Sequence, residues 1–205
     1  MTRVKVCGLT RPEDVDAAVA SGADFLGFNL WRGSSRYVEP VDARRLVDRV
    51  TAAAIPVGVF VHGEGWDPVV SEFTRVAWVQ VHGAPPSWAP DRFVRPVVRA
   101  VPVSGPVAAD ALTAADYWIV DTAQRGHGGG GKAFDWSLAQ ALRGHARVFL
   151  AGGLTPENVA DAVRTLRPYA VDVASGVESS PGKKDAGKMQ AFVQAVRAVD
   201  KELAR

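Results

Sequence analysis

What most constrains this chain is an alternation. Apolar, β-branched runs of four to eight residues recur along it, each followed by a glycine or polar turn and then by a segment with helical spacing. The runs are "RVKVCG", "ADFLGFNLW", "PVGVFVHG", "AWVQVHG", "VRPVVRAV", "YWIVDT", "ARVFLAGG" and "AVDVASGV", eight in all. Between and after them lie "PEDVDAAVASG", "VDARRLVDRVTAA", "DPVVSEFTRV", "PVAADALTA", "FDWSLAQALRG", "TPENVADAVRTL" and "DAGKMQAFVQAVRAVDKELAR"; only the fourth connector, "APPSWAPDRF", is a poor helix former. Strands apolar at nearly every position are buried on both faces, as parallel sheets require. Eight β-then-α units predict an α/β fold, a closed single-domain (β/α)8 barrel. A doubly wound open sheet, usually of about five to seven strands at this length, is the alternative.

Length and charge narrow the function. The 205 residues suit one domain over 1–205, near the lower end for eight β/α units. A net charge of only +2, with scattered charged residues, gives no field of one sign for nucleic acid or a membrane surface, so the expected partner is a small molecule. The single cysteine cannot form an internal disulfide, and "MTRVKV" lacks the apolar segment of a secretory signal, which predicts a cytoplasmic protein. No run approaches the roughly 18 apolar residues of a membrane span. The one low-complexity patch, "RGHGGGGK" at 125–132, reads as a loop, and Ala133 after Lys132 excludes the G-x-x-x-x-G-K-[ST] phosphate loop of nucleotide triphosphatases.

In such barrels the chemistry sits at the C-terminal ends of the strands. That filter selects Cys7, Asn29, Arg36, His62, Gln80, His82, Asp121, Gly152, Gly153, Ser175 and Gly176. A lone cysteine is commonly a small buried hydrophobe, but at a strand end facing the mouth, with nearby positive charge lowering its pKa, it becomes a usable base or nucleophile. Asp121 closes an apolar strand; it either caps the loop or pairs with Arg125, or is desolvated enough to act as a protonated acid. The glycines of "AGGLTPENV" and "VASGVESSPGKKD" let backbone N–H groups approach an anion in the last two units, which predicts phosphate binding, with Thr155 as N-cap and Pro156 at the first helical position. Arg36 can fork onto a carboxylate, while His82 and His127 are rim candidates. No set of residues has metal-ligand spacing, so no metal is implied.

With these residues located, the order "KVCGLT", "GADFLGFNL", "SSRYVEP", "VGVFV", "VQVHG", "VD", "GGGGKAFDW", "LAGGLTPENV" and "VDVASGVESSPGKKD" resembles the phosphoribosylanthranilate isomerases of tryptophan biosynthesis, from Arg3 to about Phe192. The resemblance implies a (β/α)8 barrel that performs a cofactor-free Amadori rearrangement of N-(5-phosphoribosyl)anthranilate. It also implies Cys7 as general base, Asp121 as general acid, Arg36 on the anthranilate carboxylate and His82 lining the site. Phosphate is expected on backbone groups around Gly152, Gly153, Ser175 and Gly176, and the chain is expected to be a monomer or a homodimer.

Departures from the family pattern are Ser35 for a usual proline before the loop arginine, Gly130 for a threonine of the glycine loop, and Ala174 for a serine of the eighth-strand motif. Asn29 and Trp31 replace residues that are more often hydrophobic and reshape the mouth. Three alternatives stand beside the isomerase. One is a paralogue acting on a related aminoaldose phosphate, which in the histidine pathway generally employs two aspartates. Another is a non-catalytic barrel binding a phosphorylated metabolite, which has no need of Cys7 or Asp121. The last is a thiol nucleophile with His82 as its base.

Overall fold

The structure, a computed structural model, describes residues 1–61, 68–83, 95–108, 112, 115–122 and 135–205. Eight parallel strands close into a barrel in chain order: β1 (Arg3–Cys7), β2 (Phe25–Asn29), β3 (Ile55–Val61), β4 (Trp78–His82), β5 (Val97–Val103), β6 (Tyr117–Thr122), β7 (Val148–Leu150) and β8 (Ala170–Val173), with β8 pairing back onto β1. All eight expected strands form, and the open-sheet alternative falls because β1 and β8 pair through Arg3↔Ala170, Val4↔Val171, Lys5↔Asp172 and Val6↔Val173.

Helices cover the outside: α1 (Pro12–Ala20), α2 (Pro40–Val47), α3 (Pro68–Thr74), α4 (Val159–Leu166) and α5 (Ala186–Leu203). Pro12 and Pro40 stand in the first turns of α1 and α2, where a missing N–H costs nothing. The Asp185 carboxylate caps α5 by accepting from Lys188 N, and Met189, Phe192, Val193, Val196 and Val199 line its buried stripe. Two local expectations change. "WSLAQAL" forms a 3-10 turn over Trp136–Leu142 rather than an α-helix. The Thr155 cap gives way to Asn158, with α4 starting at Val159; Thr155 Oγ1 instead caps the preceding turn, accepting from Glu157 N at 3.3 Å. That turn forms because Asn158 folds back, its Oδ1 accepting from Thr155 N and its Nδ2 donating to Gly153 O.

Strand alternation sorts the apolar residues into two cores. Val4, Val6, Leu26, Phe28, Val79, Val81, Val120, Leu150, Val171 and Val173 face the helices, whereas Phe25, Val57, Val98, Ala100, Ile119, Phe149, Ala151 and Ala170 fill the lumen. The N-terminal end of the lumen is closed by packed rings, Phe25 lying 5.1 Å from Trp78 and 5.2 Å from Phe149, with Tyr117 and Tyr169 stacked beside them at 5.1 Å. Among the described residues, no helix is long and apolar enough to cross a membrane.

Candidate active site

The side chains of Cys7 and Asp121 follow from the same alternation. Cys7 is two residues beyond Lys5, which meets Asp172 inside the barrel, and Asp121 is two beyond the lumen residue Ile119. Both therefore occupy the last lumen-facing rows of their strands, β1 and β6, at the end opposite the ring plug. His82 holds the corresponding place on β4, with its Nε2 2.9 Å from Gln80 Nε2. Cys7, His82 and Asp121 are thus brought to one mouth.

Cys7 is buried, and the backbone beside it is glycine for steric reasons. A β-carbon at Gly27 would stand 2.8 Å from Cys7 Sγ. Gly8 has φ +77, and a β-carbon there would collide with Cδ of Arg36. The glycine after the cysteine consequently makes room for the stem of Arg36. Arg36 lies across the turn after β1 and forks onto Glu178, Nε to Oε1 at 2.7 Å and Nη2 to Oε2 at 2.8 Å. Oε1 also accepts from Lys184 Nζ at 2.8 Å, and Lys184 Nζ donates to Ala174 O at 2.9 Å. Burial pushes the Glu178 carboxyl up, but Arg36 and Lys184 outweigh it and hold the group below the ordinary glutamate range. The fork leaves Nη1 outside the pair.

Below Cys7, Lys5 Nζ lies 2.7 Å from Asp172 Oδ1, with Lys5 only 1% exposed. Burial lowers the ammonium's pKa, but Asp172 and Cys7 raise it more, so Lys5 stays charged above the usual lysine range. Nearby positive charge, read from the sequence, predicts a lowered Cys7 pKa. The structure corrects this: burial pushes the thiol up, and Lys5, through its charge and a hydrogen bond, opposes the rise without overcoming it. Lys5, Asp172, Glu178 and Lys184 were absent from the sequence-derived site. For Lys5 and Asp172 the available signal was a charge in the middle of a strand buried on both faces, which must find a partner; Glu178 and Lys184 lie in the short pair β9 (Glu178–Ser180) and β10 (Lys183–Lys184) and carry no such signal.

The two glycine ends of β7 and β8 also meet. Gly152 and Gly153 have φ +88 and +65, and a β-carbon on Gly176 would fall inside the carbonyl oxygen of Leu154. Ser175–Val177 form a 3-10 turn, so Gly152, Gly153, Ser175 and Gly176 line one rim where backbone comes close to backbone. Among the described residues, no protein acceptor takes the N–H of Gly152 or Gly153. Asn29 caps its own turn, accepting from Trp31 N at 3.0 Å, and the Trp31 ring packs on Gly33, so these two substitutions shape the loop ahead of Arg36. Ser34 Oγ accepts from Arg36 N at 3.1 Å, which steadies the arginine where Ser35 replaces the proline. His62, Arg125, His127, Gly130, Lys132 and the "APPSWAPDRF" connector lie outside the described residues. Among the described residues no three His, Cys, Asp or Glu groups converge as a metal site.

A closed (β/α)8 barrel plugged by rings at one end, with a thiol and a carboxyl at the other and two glycine rims beside them, defines the class of barrel enzymes that act on small phosphorylated molecules. The comparisons are more particular. A model of the N-(5'-phosphoribosyl)anthranilate (PRA) isomerase family matches residues 4–195. The N-(5'-phosphoribosyl)anthranilate isomerase of Dechloromonas aromatica is 43% identical over 208 residues, covering 98% of this chain and 99% of its own. The phosphoribosyl anthranilate isomerase of Thermus thermophilus superposes with a TM-score of 0.86 at 39% identity, covering 97% of this chain and all of its own. Another phosphoribosyl anthranilate isomerase, solved with reduced 1-(o-carboxyphenylamino)-1-deoxyribulose 5-phosphate, is 34% identical with a TM-score of 0.78, covering 97% and 100% of the two chains. The chain belongs to the N-(5'-phosphoribosyl)anthranilate isomerase family.

Proposed function

We propose that this chain converts N-(5-phosphoribosyl)anthranilate to 1-(2-carboxyphenylamino)-1-deoxyribulose 5-phosphate in tryptophan biosynthesis, with Asp121 as general acid and Cys7 as general base. The observation that carries the assignment of roles is that Cys7 and Asp121 occupy the last lumen-facing rows of strands three places apart around one barrel ring, at the end opposite the ring plug. Asp121 gives its proton to the ribose ring oxygen as the C1–O bond breaks, and the anilinic nitrogen lone pair closes to a Schiff-base cation. The Cys7 thiolate then takes the proton from C2. The C–H electron pair becomes the C1–C2 double bond of an enolamine, the cation is discharged, and tautomerisation gives the ketone. Arg36 holds the anthranilate carboxylate through the edge left outside its fork with Glu178. The phosphate rests on the N–H groups at Gly152, Gly153, Ser175 and Gly176, and His82 lines the wall between. Acid and base are each worth about two to four powers of ten, and the two anchors supply much of the rest by orientation.

On this reading the whole chain, 1–205, is one catalytic domain, a cytoplasmic monomer or homodimer that takes a phosphorylated small molecule, not nucleic acid or membrane, and uses no cofactor or metal. The test is to add enzymatically generated phosphoribosylanthranilate and follow the loss of its fluorescence. Wild type should convert it, and Cys7→Ala and Asp121→Asn should each reduce turnover by at least about a hundredfold. Full turnover by either variant would overturn its assigned role.

A further inference from the structure

Five charged groups surround or adjoin the Cys7 thiol. Lys5 stands on the same strand, one lumen row below, and Asp172 faces it from β8. Arg36 crosses above on the loop after β2, Lys184 approaches from β10 (Lys183–Lys184), and Glu178 opens β9 (Glu178–Ser180), joining Arg36 to Lys184. Three cations therefore face two carboxylates, and the cluster carries one positive charge in excess. Lys5, Asp172, Glu178 and Lys184 are all buried, so water meets that excess only at Arg36. Isolated charge is costly away from water, so the excess reduces the cost of one more anion within the cluster. Of its uncharged members only Cys7 can supply one by losing a proton.

We propose that Lys5 is the positioning residue of the base: held by Asp172 at 2.7 Å, one lumen row below Cys7 on the same strand, it supplies the charge against which the thiolate forms as the anion that completes the cluster. Lys5 lies one lumen row farther from the mouth than Cys7. The ring plug below prevents Lys5 from drawing water to itself, which keeps its charge directed at Asp172 and Sγ. Lys184 and Arg36 are divided between Cys7 and Glu178, which leaves Lys5 as the largest opposing charge to the burial that raises the thiol. This inference rests on the assignment of Cys7 as base.

The chain has one cysteine, so the ultraviolet absorbance of its thiolate, titrated with a Cys7→Ser baseline, reports Cys7 alone. In Lys5→Met the thiol midpoint should move up by about one pH unit or more. The acid limb of the kcat/KM profile should move with it, while substrate binding changes little. If the unpaired Asp172 prevents folding, Lys5→Met/Asp172→Leu replaces the ion pair with apolar volume, a change such pairs commonly tolerate. Its midpoint should still rise, by less than in the single variant, because Asp172 opposes the thiolate in the wild type. An unmoved or lowered midpoint in the variant that folds overturns the proposal. A Cys7→Ser protein with undiminished turnover would instead defeat the assignment of the base, and the absorbance titration would still decide the role of Lys5.

Discussion

At the scale of single residues, Arg36 shows how one side chain serves packing and recognition together. Its stem lies where a β-carbon at residue 8 would be, and its head is fixed by two hydrogen bonds to Glu178. Arg36→Ala should therefore raise KM by about 10- to 100-fold, the value of a charge-assisted pair, with a smaller loss in kcat, measured by steady-state kinetics. Glu178→Gln should raise KM in the same direction but less, since the arginine keeps its charge and loses its aim. The sequence placed Cys7 at the mouth by its position as the last residue of β1, whereas Arg36, in the loop after β2, took its role from the family resemblance. Lys5 and Asp172 were not legible as site residues, because they sit mid-strand at a pairing that only the barrel's closure between first and last strands creates. The direction of the Cys7 shift was misjudged for a related reason: nearby cations are visible as letters, whereas full burial is a property of the assembled lumen.

At the scale of elements, the strands were readable because apolar residues at nearly every position leave no other arrangement, and all eight formed where expected. The helices were less so. Thr155 and Pro156 carry a valid helix-start signal, but Asn158 makes the stronger local bonds and delays α4 by a turn. The same turn brings Leu154 O against Gly176, fastening the β7 rim to the β8 rim. Gly176→Ala must push these rims apart. It should lower the melting temperature and weaken binding of a phosphate-bearing product analogue, by calorimetry, while leaving the affinity for anthranilate alone unchanged. Gly8→Ala combines a φ of +77 with a collision against Arg36, and should cost about 1–3 kcal/mol in denaturant unfolding.

At the scale of the whole molecule, stability and chemistry share their charges. Glu178 is depressed in the folded chain, so it contributes stability above the ordinary glutamate range that is lost as pH falls through its folded value. Cys7 is raised, so its contribution is complete below the ordinary thiol range and is lost as pH rises through its folded value. Thermal melts across pH should show wild type losing stability more steeply than Glu178→Gln below about pH 4. The barrel holds these groups together by closing β8 onto β1, with α5 strapped across the seam through Asp200 and Arg197 at Thr2. The most direct test of the acid and base assignments is a crystal structure of this chain with the reduced product analogue bound. Cys7 Sγ should lie beside C2 and the Asp121 carboxyl beside the former ring oxygen, each about 3–3.5 Å away and on opposite sides of the sugar chain. A complex in which either group turns away from those atoms would contradict the assignment.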